Sequence, residues 1–208
     1  MSRSPAGAAG PVSLAHELVG VRPLRTRDGA AWVEARQRNQ GWLTPWEGTP
    51  ETQVWASWQD RHSAAVYAAM LRSFRRETRA GRLLAFGITV DGRLAGQVTV
   101  SGIVRGAFDS GTVGYWVDSA VAGRGIAPVA LALVVDHCFG PARLHRVEAN
   151  VRPENTASRR VLDKLGFREE GLHRGYLHID GAWRDHLSYA LTREEFPGGV
   201  LSTFLAKF

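Results

Sequence analysis

The chemistry in this chain centres on two segments. Val117-Asp118-Ser119-Ala120-Val121-Ala122-Gly123-Arg124-Gly125-Ile126-Ala127-Pro128 sets a glycine-containing loop between a β-prone run and an apolar helix. The opening amides of such a helix have no intrahelical partner and carry the positive end of its dipole, so Gly123–Ala127 forms a site for a phosphate or pyrophosphate. Glycine keeps side chains out of the way of the amides, but glycine also serves plain tight turns, so by itself the loop reads either way. It has neither a Walker lysine nor the spacing of a dinucleotide fingerprint. Downstream, Asn155 and Ser158 lie three apart on one face of a helix start, where Asn155 is also a natural N-cap.

Elements must hold these segments in place. Asp91-Gly92 and Asp180-Gly181 each sit between β-prone runs and predict hairpins, with strands at 83–90 and 93–104 and at 172–179 and 182–191. Alternation predicts further strands at Thr112–Asp118 and Leu144–Val151. Between those two lies Pro128–Phe139, apolar on nearly every side and stopped by Gly140-Pro141, a helix that must pack on the sheet. A second helix over Asn155–Leu165 buries Ala157, Val161, Leu162 and Leu165 and ends at Gly166. The N-terminal part predicts a strand at Glu17–Leu24 and helices near Asp28–Asn39 and Glu51–Arg79. The expected fold is mixed α/β: a mostly antiparallel twisted sheet with one parallel strand-helix-strand crossover and helices on both faces.

Here the chain resembles the GCN5-related N-acetyltransferase superfamily. Ala122–Ala127 is similar to its pyrophosphate loop, with Gly125 and Ala127 in the small positions and Ala122 where glutamine or arginine is usual. The likeness narrows to the ribosomal-protein-alanine acetyltransferases, the RimJ and RimL type: Arg38–Glu47 resembles their loop between the first helices, Gly114–Val117 the CoA-facing strand, Leu144–Asn150 the next strand and Gly171–His186 the closing hairpin. The resemblance implies acetyl-CoA as the cofactor, held by Trp116, Val117, Gly123, Arg124, Gly125, Ile126, Ala127, Asn150, Asn155, Ser158 and Arg159. It further implies that an amine attacks the thioester directly, with a Val117 N–H for the oxyanion, Asn155 on the pantetheine arm and Ser158 as acid for the thiolate. Relatives carry a base where this chain has Asn150 or Gly175, so Glu47, and behind it Glu148, stand as substitutes.

The implied acceptor is the N-terminal α-amine of a protein, a ribosomal protein starting with alanine or serine. An α-amine of pKa about 8 is substantially neutral near pH 7, whereas a lysine at about 10.4 costs about 4 to 5 kcal/mol to deprotonate, which a site without a strong base cannot offset. Two other readings stand beside it: acetylation of a small amine or of lysines, and a non-catalytic ribosome-associated assembly factor.

Composition bounds these readings. At 208 residues, 44% hydrophobic and 22% charged, one globular domain is expected at 14–195, with tails at 1–13 and 196–208. Phe196, Leu201, Phe204, Leu205 and Phe208 suggest that the second tail docks on the domain or a neighbour. Nothing approaches the roughly 20 apolar residues of a membrane span, and the opening lacks a secretory core, so a cytoplasmic monomer or homodimer is expected. The net charge of +6 favours anionic partners; Arg72, Arg75, Arg76 and Arg79 at helical spacing read either as a ribosome or RNA contact or as a solvated face. Cys138, the single cysteine, reads as a small buried hydrophobe, and His173, His178 and His186 show no metal-ligand spacing with it. Trp42 and Trp46, in the loop after the first helix, read as cleft walls or as core.

Overall fold

A computed structural model describes residues 9–51 and 57–207. Within them eight strands form one sheet in the order β1-β2-β3-β4-β5-β6-β8-β7. β1 (Leu14–His16), β2 (Val19–Pro23), β3 (Leu84–Val90), β4 (Arg93–Val104) and β5 (Ser110–Val117) run antiparallel in succession. β6 (Arg146–Val151) is parallel to β5, β8 (Ala182–Thr192) pairs antiparallel with β6, and β7 (Arg168–Ile179) takes the outer edge. At both predicted hairpins the aspartate and glycine take positive φ (Asp91 49°, Gly92 76°; Asp180 48°, Gly181 76°), the geometry whose twist matches that of the strands.

α5 (Ile126–Phe139) carries the crossover from β5 to β6. Its apolar surface explains its place: Ala130, Leu131, Ala132, Val134, Val135 and Cys138 are fully buried, packed with Phe86, Ile88, Val98, Val100 and Val113 of the sheet. On the opposite sheet face, α1 (Gly29–Arg38) and α4 (Ala64–Arg79) enclose a smaller core of Leu24, Trp32, Tyr67 and Leu71. Helices therefore lie on both faces, as expected.

Two N-terminal details differ from the sequence reading. The first strand is a hairpin, because Glu17 turns left-handed at φ 49° and lets residues 14–16 pair back. The long helix over 51–79 is two elements: a single turn, α3 (Trp58–Arg61), and α4, each started by a serine whose hydroxyl accepts an amide, Ser57 from Asp60 and Ser63 from Val66. The start of that expected helix, with Trp55, lies outside the described residues, as do 1–8 of the first tail and Phe208. The segment after Glu195 forms α7 (Val200–Leu205) and docks on the domain itself. Val200 and Phe204 join the main core, and the Asp136 carboxylate of α5 accepts the Val200 and Leu201 amides at 2.6 and 3.1 Å. No described helix is long and apolar enough to cross a membrane.

Candidate active site

β5 and β6 pair only from Ser110–Arg146 to Thr112–Glu148 and then part, β5 following β4 and β6 following β8. The gap is the floor of a cavity of about 390 Å3, walled by the Val121–Pro128 loop and helix start, by β5 at Tyr115–Val117, by α6 (Thr156–Leu165) and by Trp42, Leu43 and Trp46.

The loop supplies amides. Gly123 and Gly125 sit at φ 77° and 78°, and Gly125 is the left-handed N-cap of α5 with no side chain capping the helix. A Cβ at either glycine would meet nothing within 4 Å, so both face open space. Together with the opening turn, whose amides have no intrahelical partner, this is an arrangement suited to an anion. Asp118 fixes the loop's entry. It is 3% exposed, accepts the Asn39 Nδ2–H at 2.9 Å, the Ala120 amide at 3.1 Å and the Arg38 guanidinium, while Asn39 Oδ1 accepts the Ser119 amide at 2.9 Å. Burial opposes its charge, yet the bonds from Arg38 and Asn39 prevail and hold its carboxyl below the ordinary range.

Val117 stands at the open edge. The Asp118 amide donates to Ala95 O on β4 at 2.8 Å, so by strand alternation the Val117 N–H points away from β4, to where β6 has left.

Of the residues named from sequence, Asn155 and Ser158 meet the cleft together. Asn155 Oδ1 accepts the Ser158 amide at 3.0 Å as the N-cap, which leaves its amide nitrogen for a ligand. Ser158 Oγ shares a hydrogen bond of 2.9 Å with the Tyr115 hydroxyl. In the sequence Tyr115 stood only within the Gly114–Val117 segment that resembles the CoA-facing strand, and nothing there links it to Ser158. Burial pushes its phenol up to about 12, against the pull of the Ser158 bond, so it is a proton donor at neutral pH.

Other expected residues stand elsewhere. Arg159 turns to Tyr189 Oη at 3.2 Å and Pro153 O at 3.2 Å, and its neighbours Arg160 and Lys164 line the cavity instead. Arg124 is exposed and contributes no side chain to the cavity wall. Asn150, alternating with the inward Ala149 and Val151, lies on the other sheet face, where its Nδ2 donates to Tyr176 Oη at 3.3 Å. Glu148 accepts from Arg146 at 2.6 Å. Glu47 is bound rather than free: Arg36 contacts one carboxylate oxygen, while Arg61 and His62 Nε2 meet the other at 3.0 and 2.9 Å.

Glu47 and its partners line a second cavity of about 440 Å3 on the α1/α4 face, floored by Gln97, Thr99, Ser101 and Gly114 and sharing Leu43, Trp46, Tyr115 and Trp116 with the first. Trp42, on the short helix α2 (Gln40–Leu43), lines the first cavity, and Trp46, in the turn that follows, lines both. Two cavities thus meet at the strand gap, one rich in helix-start amides and the other in side-chain donors. Among the described residues no group of three His, Cys, Asp or Glu is placed to hold a metal.

Residues 19–168 match the acetyltransferase (GNAT) domain. The chain belongs to the GNAT acetyltransferase family. It is an N-acetyltransferase. The GNAT chain is 31% identical over 192 residues to the ribosomal protein uS5-alanine N-acetyltransferase of Escherichia coli (strain K12), covering 90% of this chain and 94% of that one. It is 45% identical over 108 residues to the probable N-acetyltransferase YjcK of Bacillus subtilis (strain 168), 51% of this chain but only 60% of that protein. Among solved structures, Mycobacterium smegmatis RimJ in complex with CoA-disulfide is similar with a TM-score of 0.87 at 48% identity, over 91% of this chain and 88% of that one.

Proposed function

We propose that this GNAT enzyme transfers the acetyl group of acetyl-CoA to the N-terminal α-amine of a protein, a ribosomal protein beginning with alanine or serine. The observation that carries the reading is the strand gap, open to the diphosphate cradle on one face and to an acceptor cavity on the other. The full-length likeness to the uS5-alanine enzyme and to RimJ supports the choice of acceptor.

The chain's residues divide the work. The amides of the loop and the α5 start between Gly123 and Ala127 bind the diphosphate, with Arg160 and Lys164 on the same wall. The Asn155 amide orients the pantetheine arm. The Val117 N–H stabilises the oxygen charge that develops when the amine nitrogen bonds the acetyl carbon. As the carbon–sulfur bond breaks, the Tyr115–Ser158 pair delivers a proton to sulfur, and the thiol leaves. The amine enters neutral and sheds its remaining extra proton to water in the acceptor cavity. Glu47 orders the arginines around that cavity instead of taking the proton directly, because its carboxylate is already paired with Arg36 and Arg61.

The enzyme works in the cytoplasm as a monomer or homodimer. Arg72, Arg75, Arg76 and Arg79, all exposed on α4, offer a basic face to the ribosome or its RNA. The test is thiol release with acetyl-CoA and Ala- or Ser-starting peptides, free or N-terminally blocked. Free peptides should turn over and blocked ones should not; acetylation that survives the block refutes the N-terminal reading.

A further inference from the structure

We infer that the acceptor cavity selects N-terminal segments bearing an acidic side chain at the second or third residue, which Arg36 and Arg61 receive. This rests on the N-terminal reading above and adds a determinant to it.

Arg36 is 6% exposed, and its guanidinium carbon lies 5.6, 5.4 and 5.0 Å from the ring centres of Trp32, Trp58 and Trp116. Such a cage fixes the fork and excludes water from its faces. One terminal nitrogen contacts Glu47 and donates to His62 Nε2 at 2.8 Å. Its Nε–H is buried with no partner among the described residues, which is a costly state for a charged donor and one a ligand oxygen would relieve. The tryptophans cannot relieve it, because an indole N–H only donates, as those of Trp32 and Trp58 do to Gln97 Oε1 and Arg36 O.

The cavity's charge is also unbalanced. Among the described residues its titratable lining consists of Arg36, Arg61, Glu47, His62 and Tyr115. His62 Nδ1 faces Trp58 O at 2.9 Å and so carries the proton, while Nε2 accepts from Arg36; burial first, and then the Arg36 charge, push this imidazole down to about 4. Two cations therefore face one carboxylate. Residues 52–56, Thr-Gln-Val-Trp-Ala, add no charge. A neutral ligand oxygen would satisfy the donor, but a carboxylate would satisfy donor and charge together, and a lysine would be repelled.

Reach selects the position. Trp116 stacks on Arg36 and precedes Val117 at the strand gap, and an extended peptide advances roughly 3.3–3.6 Å per residue. An α-amine at the gap thus brings its second or third side chain to the guanidinium.

The experiment measures kcat/KM by thiol release for free Ala-starting peptides with Asp, Asn or Lys at residue two, and again at residue three. At one of these positions Asp should exceed Asn by about tenfold, the effect of a charge-assisted bond of about 1.4 kcal/mol, with Lys below Asn. In Arg36→Gln the Asp advantage should shrink to within twofold. If that variant does not fold, Arg61→Gln, at the cavity rim, should reduce it in the same direction. Equal kcat/KM for Asp, Asn and Lys at both positions overturns this proposal and leaves N-terminal acetylation standing. Failure of every free peptide overturns the N-terminal reading and this proposal with it.

Discussion

Replacing Asp118 by asparagine probes how the diphosphate loop is held. In the native chain one carboxylate oxygen accepts from Asn39 and the Ala120 amide, and the other from Arg38. An asparagine keeps one acceptor and turns the other into a donor, so whichever way it is placed it sets a donor against a donor. The Arg38 side is 46% exposed, and its loss costs less than about 1 kcal/mol. The Asn39 and Ala120 side is buried, and disrupting it costs about 1–3 kcal/mol. Asparagine is best placed with its oxygen on the buried side and its amide against Arg38, a loss of about 1 kcal/mol, which corresponds to a melting temperature lower by about 2–4 °C for a chain of this size. The loop's entry should loosen with it, raising KM for acetyl-CoA about threefold to fivefold while kcat stays within about twofold, since Tyr115 and Ser158 are untouched. The native carboxyl titrates below its unfolded value, so its contribution is present above the unfolded pKa and is lost as pH falls through the folded one. Wild type should therefore lose stability in acid more steeply than Asp118→Asn. Thermal unfolding against pH, alongside initial rates against acetyl-CoA, checks all of this. A lowered melting temperature with an unchanged KM would show that the lock holds the scaffold and does nothing for the cradle.

Tyr115→Phe should lower kcat about 10²- to 10³-fold with little change in KM, the size of a lost general acid, and adding Ser158→Ala should cost far less than its effect alone if the two hydroxyls form one donor. An acid must be protonated to act, and the phenol is pushed up to about 12, so kcat in the wild type should hold through pH 10; a fall near pH 9 would assign the proton to another group. Phe204→Ala should destabilise the enzyme by about 3–5 kcal/mol, read by denaturant unfolding, because the ring belongs to the main core; a change under about 1 kcal/mol would mean that α7 is only loosely docked.

Local chemistry made much of this protein readable before its structure. The Asp-Gly pairs fixed both hairpins because few other residues tolerate two successive positive φ values. The all-round apolar Pro128–Phe139 run, buried as α5, required cover on every side, and the glycines before it marked the amide cradle. Asn155 and Ser158 were legible because helix spacing alone sets them on one face. Arg159 misled for the complementary reason: adjacent arginines point to different sides of a helix, and only packing against Tyr189 shows which side is which. Asn150 fell on the wrong side of a strand in the same way.

What the sequence determined by itself was the order of elements, the family and a helix start opened by glycines with free amides, since each is written in residues close along the chain. Tertiary structure alone decided the Tyr115–Ser158 bond, the Asn39–Asp118 lock and the caging of Arg36 beside Glu47 and His62. These join residues 43, 79 and 26 positions apart in the first, second and Arg36–His62 contacts. Such pairings depend on where the strands part and which sheet face each helix covers, and no local periodicity carries that information.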